Sequence, residues 1–577
     1  CSLPYSEGLS ARVKLGFDIQ EGEREFFAPT FLKGETEGDE DEAGTVVRAN
    51  SSRVNELIDA FLTYDNAFDS IQSSFNATLG YSWQEFHAEF PEFTANGLTT
   101  NALGPNSVDV VESAENTNPF VTEIPNRLVS GFARINYTLL DRYLLTATVR
   151  RDGSSRFGPD NKWGTFPSAA LGWRMHQEPF MEDVGFLSNL KLRGSWGVTG
   201  NQEIADFAFE PLFTPGGPQA QVQFGDDFVS TLRPGAADQG LKWEETTTWN
   251  VGVDYGVLNG RLTGTFEYYL KDTDDLLFSV QPPLGVQPGD RVLTNIGEMR
   301  NEGFELSIDA LVFSNETFSW NAQFNASTND NEILSVSRAG EGIPTGGISG
   351  GVGNTIQIIR EGEARNSFFV FEHRRNSNGN PVSDDVDFND DGVANDLDMY
   401  VDQLTVDTDD DGIPDAGDGV INDDDRVVKE SPQPDWVLGH TSQLRYKNFD
   451  MSFTLRAHLG NYVYNNVASN FGHYSRLTNF APSNLHTSVL DTDFTDPQFF
   501  SDIYLEDASF LRLDNITLGY TVPELPGVRS LRVYGTVQNA FVLTGYSGPD
   551  PEANGFGIDN NLYPRSRTFT AGVSLQL

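Results

Sequence analysis

The sequence predicts an all-β protein and, more narrowly, a transmembrane antiparallel β-barrel. Apolar and polar residues alternate along many segments, and residues typical of tight turns separate those segments. No run of about 18 or more apolar residues is present, so the chain offers no membrane-spanning helix. A closed barrel is the other backbone arrangement that satisfies its hydrogen bonds in lipid.

The last strand shows the alternation most clearly. Phe569, Ala571, Val573, Leu575 and Leu577 fall on one face, and small or polar residues fall on the other. A strand with one apolar and one polar face suits a wall between lipid and a water-filled interior.

Tight turns join the predicted strands into hairpins. Asn259-Gly260 lies between two alternating runs, which is a strong hairpin signal. Similar turns are predicted at Ser314-Asn315, at Lys447-Asn448 and around Asp141. Repeated hairpins predict an up-and-down sheet.

Counting from the carboxyl end predicts about sixteen strands of the outer-membrane type. Their expected spans are 5–28, 43–66, 68–88, 127–139, 141–156, 162–175, 188–199, 242–257, 260–280, 299–313, 316–335, 434–447, 449–464, 508–523, 529–544 and 566–577.

The lengths of the connections support this interpretation. If the last strand runs toward the periplasm, the short links mostly fall on the periplasmic side and the long links outside, as in outer-membrane barrels. The short links lie near 67, 140, 176–187, 258–260, 314–315, 447–448 and 524–528. The long links lie near 89–126, 200–241, 281–298, 336–433, 465–507 and 545–565. A soluble sandwich or propeller is not expected to sort its loops in this way.

Composition limits the partners. The net charge of −46 argues against nucleic acid as a partner and favours cations. The single cysteine, Cys1, excludes internal disulfides. We expect it to be either a lipid-modified mature terminus or simply the point where a longer protein is cut.

Segment 336–433, the long acidic insert, predicts calcium binding. Calcium requires six to eight oxygen ligands around a tightly turned backbone, and a twelve-residue loop with Gly at position 6 provides that spacing. The expected ligands of the first loop are Asp387, Asn389, Asp391, Val393 through its carbonyl, Asn395 and Asp398. Those of the second loop are Asp407, Asp409, Asp411, Ile413 through its carbonyl, Asp415 and Asp418. The predicted role is structural, and an acidic solvated loop without metal is the alternative.

No motif points to catalysis. The seven histidines are scattered and show no metal-ligand spacing. We therefore expect no enzyme activity.

Several motifs resemble those of SusC/RagA-type TonB-dependent transporters, in the same order along most of the chain. They are Asp152-Gly153-Ser154-Ser155-Arg156-Phe157, Lys162 to Ser168 (KWGTFPS), Lys191 to Gln202 (KLRGSWGVTGNQ), Trp243-Glu244, Asn295 to Glu305 (NIGEMRNEGFE), Asp507 to Leu513 (DASFLRL) and Gly548 to Glu552 (GPDPE).

The resemblance implies an outer-membrane barrel of about 22 strands with a plugged lumen. On that basis residues 1–577 are the carboxyl-terminal part of a single barrel domain, and the amino-terminal plug that engages TonB is not in this chain. The resemblance also implies nutrient uptake, with TonB-dependent import of an oligosaccharide or a peptide at the outer membrane of a Gram-negative bacterium. A SusD-like surface lipoprotein is the implied partner and acts as a lid.

Aromatic residues of the outer loops are weak candidates for substrate stacking, and packing of the loops is the favoured alternative. They are Phe368, Phe369, Phe371, Tyr400, Phe471 and Tyr474. Three other functions stay open at this point: a passive porin of about 16 strands, a calcium-binding surface adhesin and an outer-membrane enzyme.

Overall fold

The computed structural model describes most of the chain, and its main feature is one antiparallel sheet of 19 strands. The described residues are 8–31, 44–98, 100–106, 111–113, 125–215, 221–225, 227–280, 282, 285, 291–336, 342–348, 355–406, 414–479, 484–523, 527–553 and 555–576.

Sixteen strands of this sheet correspond one to one with the predicted strands. They are β1 (Leu9–Ala28), β2 (Thr45–Phe68), β3 (Ser73–Glu89), β4 (Asn126–Leu139), β5 (Tyr143–Ser154), β6 (Trp163–Arg174), β7 (Leu187–Asn201), β8 (Glu244–Val257), β9 (Leu262–Asp274), β10 (Glu298–Ser314), β11 (Phe318–Thr328), β12 (Trp436–Tyr446), β13 (Phe449–Leu459), β14 (Phe510–Val522), β15 (Ser530–Thr544) and β16 (Thr568–Gln576). The prediction of about sixteen strands is confirmed.

Short strands and helices extend the sheet and fill the long links. The sheet also includes Glu92–Leu98, Val111–Ser113 and Asp330–Ser335. Three two-stranded sheets pair Phe213–Pro215 with Leu232–Pro234, Gln221–Phe224 with Asp227–Ser230, and Leu277–Val280 with Val292–Asn295. A four-stranded sheet contains Ile343–Gly347, Thr355–Ile359, Ser367–Phe371 and Arg426–Val428. A three-stranded sheet contains Tyr462–Asn465, Leu505–Asp507 and Ile558–Asp559. The described α-helices are Asp396–Met399, Asn466–Phe471, Arg476–Asn479 and Val489–Thr492. The described 3-10 turns are Asp69–Ile71, Met175–Gln177, Pro179–Met181, Asp423–Asp425 and Asp502–Tyr504.

Three predicted strands are interrupted in the structure. The spans 260–280, 316–335 and 449–464 each divide into a long strand and a short one. Asp275 has φ of 58° and Gly460 has φ of 82°. A left-handed backbone at these residues turns the chain out of the extended conformation, so the strand ends there.

The predicted hairpins are confirmed. Tyr446 pairs with Phe449 across Lys447-Asn448, and Leu139 pairs with Tyr143 across Asp141. At the Asn259-Gly260 turn, Asn259 has φ of 57°, a left-handed conformation that asparagine tolerates.

The apolar side chains that alternate along the first and last strands are exposed. Val13, Leu15 and Phe17 of β1 are 68%, 78% and 65% exposed. Phe569 and Val573 of β16 are 74% and 65% exposed, and Leu577 lies outside the described residues. An exposed apolar stripe of this kind is what a lipid-facing strand requires.

The link between β5 and β6 departs from the predicted pattern, because it is short although the alternation places it among the long links. Within it Asn161 donates from its backbone N–H to the carbonyl of Gly158 at 3.1 Å. Phe157 at its start is fully buried. A tight turn anchored by a buried ring therefore replaces a long loop there.

The chain forms two compact units, and each has its own hydrophobic core. The first contains residues 1–171, 196–246 and 275–295, and the second contains 172–195, 247–274 and 296–577. The core of the first is built around Phe157, Phe166 and Trp243. The largest buried cluster of the second is built around Phe368 and Tyr464 in the long links.

Candidate functional site

Polar side chains on neighbouring strands of the first unit share one face, level with the end of β3 and the start of β4. Gln20 on β1 lies opposite Arg53 on β2. Asn55, two residues further along β2, lies opposite Phe86 on β3, which pairs with Asn126 on β4. Because side chains alternate across a strand, this face is opposite to the exposed apolar face of β1. These residues line a cavity of about 470 Å³, which falls within the range of about 300–1,000 Å³ common for small-molecule sites.

Two of the sequence motifs form the remaining wall of this cavity. Arg156, from the motif that follows β5, donates from Nη1 to the carbonyl of Gln202 at 3.2 Å. Its Nε lies 3.2 Å from Asp206 Oδ1 and its Nη1 lies 3.4 Å from Glu203 Oε2. Arg156 and Gln202 both line the cavity, so the structure brings together motifs that are well separated in the chain.

A buried aromatic cluster supports this wall from within the first unit. The ring of Trp243 lies 5.3 Å from the rings of both Phe157 and Phe166, measured between ring centres. Its indole N–H donates to the carbonyl of Lys162 at 3.1 Å. Three of the motifs therefore meet in one core, where their aromatic residues have a structural role.

The two motifs near the carboxyl end meet in the second unit. Arg512 lies 2.6 Å from Asp550 and 3.0 Å from Glu552. Arg456 on β13 contacts the same Glu552 at 2.6 Å and Asp514 at 3.0 Å. This network of charges fastens the link between β15 and β16 to β13 and β14.

Three of the six aromatic candidates for substrate stacking are buried in the packing of the loops. Phe368 is fully buried, and Phe369 and Tyr400 are 9% and 4% exposed. The buried Arg426 lies over Phe369, 4.5 Å from the ring centre.

The other candidates are more accessible. Phe371 and Phe471 are half-buried, and Tyr474 is 39% exposed. The ring of Phe371 lies 4.9 Å from that of Tyr400, and Arg476 lies over Phe471 at 4.6 Å. The contacts of these rings within the loops support the packing role.

A buried histidine ties the acidic insert to a neighbouring link. His373 Nε2 donates to the carbonyl of Val382 at 2.9 Å, and Ser501 Oγ donates to His373 Nδ1 at 3.0 Å. Burial lowers the pKa of the imidazole to about 4, so the ring is neutral at neutral pH.

The first predicted calcium loop has a compact hydrogen-bonded backbone. Asp387 Oδ2 accepts from the N–H of Gly392 at 2.8 Å, and Asp391 Oδ1 accepts from the N–H of Val393 at 2.9 Å. Asn389 Oδ1 accepts from the N–H of Asp391 at 2.9 Å. Gly392 has φ of 94°, a turn that suits glycine.

The loop closes on a buried carboxylate. Asp398 is fully buried, and its side chain accepts from the N–H groups of Phe388, Asn389 and Asn395, each at 2.9 Å. Asn395 in turn caps the helix Asp396–Met399, and its Nδ2 donates to the carbonyl of Val393 at 3.1 Å. The six expected ligands thus lie on one tightly closed loop.

The second predicted loop is described only in part. Asp407, Asp409, Asp411 and Ile413 lie outside the described residues. Asp415 is exposed.

Asp418 repeats a bond of the first loop. Asp418 Oδ1 accepts from the N–H of Val420 at 2.8 Å, as Asp391 does from Val393. By its spacing in the sequence, Asp418 is expected at the twelfth and last position of the second loop. Its hydrogen bond instead matches that of Asp391, which is the fifth residue of the first loop.

A second closed turn follows Asp418. Asn422 and Asp425 form the same reciprocal cap as Asn395 and Asp398. Asp402 Oδ2 accepts from the N–H of Gly419 at 2.9 Å. An asparagine followed three residues later by an acid is a recognisable capping signal, so the sequence did contain this second closure.

Two kinds of feature are absent from the described residues. In that part of the chain, no group of three or more His, Cys, Asp or Glu side chains has a geometry that could hold a metal ion. No helix among the described residues is both long enough and apolar enough to cross a membrane.

Comparison with known proteins assigns a family. The family model described as "TonB dependent receptor-like, beta-barrel" matches residues 4–354. The TonB-dependent receptor SusC of Bacteroides thetaiotaomicron is 43% identical over 465 residues, which cover 78% of this chain and 44% of that protein. A TonB-dependent receptor of Formosa agariphila is 30% identical across an alignment of 599 positions that covers 99% of this chain and 57% of that protein. The chain spans about half the length of the curated relatives it matches.

Solved structures agree on the fold. The RagAB peptide transporter superimposes with a TM-score of 0.78 at 23% identity, covering 99% of this chain and 60% of that chain. The outer membrane transporter YddB from Escherichia coli gives a TM-score of 0.51 at 9% identity, covering 99% of this chain and 60% of that chain.

Proposed function

This chain belongs to the family of TonB-dependent receptor-like β-barrels, and on that premise we propose that it serves the active import of an oligosaccharide or peptide nutrient. It is a multi-pass β-barrel of the outer membrane of a Gram-negative bacterium. Import driven through TonB is the activity that this membership favours over passive diffusion through a porin.

The observation that carries the proposal is the 43% identity to a TonB-dependent receptor over 465 residues. The fold supports it, because the sixteen main strands match a structure described as a peptide transporter over nearly the whole chain. The relatives are receptors and transporters, which supports transport over catalysis.

The proposed partners follow from the same relationship. A SusD-like lipoprotein would cover the outer opening, and TonB would act through an amino-terminal plug. We assign the contact with the lid to the outer surface of the long links between strands. In the second unit, buried clusters hold these links together.

Calcium in the acidic insert stays a prediction. The closed loop around Asp391 and Asp398 supports it only through its backbone, which brings six oxygen-bearing residues onto a tight turn, because no three acidic side chains of the described residues converge on a metal position. The many backbone N–H groups that these side chains accept also give the loop a stable form by themselves.

An uptake assay tests the proposed function. Cells that carry the complete protein are given radiolabelled maltotetraose or radiolabelled tetra-alanine, with and without a protonophore. We expect uptake of one probe that stops when the protonophore is added or when TonB is deleted. Uptake that continues under both conditions would identify a passive channel and overturn the proposal. Glucose uptake through general porins serves as the control.

A further inference from the structure

The cavity of the first unit has amide side chains that lack partners. Gln202 lines it, and the side-chain oxygen of Gln202 is shielded from solvent and has no hydrogen-bond partner among the described residues. Asn55 and Asn126 make no side-chain hydrogen bond within the described part of the chain. Each amide both donates and accepts, as a hydroxyl group does. The unpartnered amides of Asn55 and Asn126 therefore favour a ligand that brings both donors and acceptors.

The charges of the cavity balance. Two arginines, Arg53 and Arg156, and two carboxylates, Glu203 and Asp206, line the cavity. Arg156 is paired with both acids. The wall is thus formally neutral in a chain of net charge −46, which suits an uncharged polar ligand.

Aromatic rings complete the wall. Phe86 and Phe90 line the cavity, and the guanidinium of Arg53 lies 5.5 Å from the ring centre of Phe90. An aromatic face packs well against the C–H face of a sugar ring, while amides nearby bond its hydroxyl groups.

From these features we propose that the cavity is a binding site for a neutral sugar unit. The proposal rests on the proposed import function and deepens it by selecting an oligosaccharide over a peptide. Asn126 and the amide nitrogen of Gln202 bond hydroxyl groups, Phe90 packs against the ring, and Arg156 holds Gln202 in place through its backbone carbonyl.

Saturation-transfer NMR on the purified complete protein in detergent tests the site. The probes are the neutral disaccharides maltose, cellobiose and lactose, with tetra-alanine as the peptide probe. We expect at least one disaccharide to receive saturation and tetra-alanine to receive none. If no disaccharide receives saturation, or if tetra-alanine competes for the site, the assignment to sugar is wrong.

Variants locate the binding. Gln202→Ala keeps the backbone carbonyl that Arg156 contacts, and Asn126→Ala removes a side chain without described bonds, so both should fold. Each should raise the Kd of the bound disaccharide about tenfold. Thr138→Ala is the matched control, because Thr138 lies on the same strand and face, does not line the cavity and likewise makes no side-chain hydrogen bond within the described part of the chain. If all three variants bind the disaccharide with the same Kd, the proposal is overturned.

The two proposals fail in different ways. If the variants keep sugar binding while uptake depends on TonB, only the cavity proposal is overturned. If the variants lose sugar binding while uptake by the unaltered protein survives the protonophore, the cavity proposal is supported and the import proposal is overturned.

Discussion

The guanidinium of Arg512 meets the carboxylate of Asp550 at 2.6 Å, and their side chains are only 2% and 7% exposed. The pair joins two sequence motifs that lie on β14 and in the link before β16. Arg512 also donates to Asn539 on β15 at 2.6 Å, so one side chain holds three segments.

Arg512→Ala should destabilise the protein strongly. It removes the closest cation from the buried Asp550 and leaves it with the longer contact to the half-exposed Arg565, at 3.8 Å, which should cost up to about 3 kcal/mol in free energy of unfolding. Urea unfolding in detergent, followed by tryptophan fluorescence, measures the loss. The control is Arg532→Ala, whose partner is Asp450 in a pair that is about one third exposed, at 32% and 35%. There we expect less than about 1 kcal/mol, and equal losses would contradict the importance of burial.

Gly460→Ala should also destabilise the protein. Gly460 has φ of 82°, and an added Cβ would lie 2.2 Å from the carboxylate of Asp435. The strained backbone and this clash should together cost at least about 1–2 kcal/mol. Gly545→Ala is the control, because nothing lies within 4 Å of its added Cβ. The same urea titration compares them, and a Gly460→Ala midpoint no lower than that of Gly545→Ala would refute the strain argument.

His373 should make stability depend on pH. Its folded-state pKa of about 4 lies below the ordinary value of 6.5, so the unfolded chain binds the proton first as pH falls. The contribution of His373 to the free energy of unfolding is complete above about pH 6.5. It is lost between about pH 6.5 and pH 4, at no more than about 1.4 kcal/mol per pH unit.

The variant His373→Gln isolates this effect. Burial raises the pKa of the neighbouring Asp502, which contributes with the opposite sign in both proteins and cancels in the difference. Unfolding free energies measured from pH 7 to pH 5 should fall more steeply in the unaltered protein than in the variant. Parallel curves would show that the imidazole is not responsible.

Calcium should protect the acidic insert if the first loop binds it. Binding to the folded state alone adds RT ln(1 + [Ca²⁺]/Kd) of stability, so limited proteolysis within 384–400 should slow in millimolar calcium and recover in EGTA. Asp391→Asn should remove the effect, while Asp491→Asn, an exposed acid outside the insert, should keep it. Proteolysis unaffected by calcium would show that hydrogen bonds alone hold the loop.

The strands could be predicted from the sequence because their signal is local. Alternation along β16 and the turn at Asn259 each depend on a few adjacent residues. The breaks at Asp275 and Gly460 could not be predicted from alternation, because a single left-handed residue does not change the pattern around it.

The candidate site was much less predictable. Arg156 and Gln202 were visible as motif residues, but their contact depends on how distant strands are placed. The motif spacing gave Asp418 the last position of a calcium loop, while its bond to Val420 is the one that Asp391 makes in mid-loop. Spacing alone does not show which of several acids in a run closes a turn.

The reciprocal caps at Asn395 with Asp398 and at Asn422 with Asp425 bear on the order of folding. Each closes across only a few residues, so its loop-closure entropy is small and it can form before distant strands have paired. These turns are therefore low-contact-order units, suited to transplantation into another exposed loop.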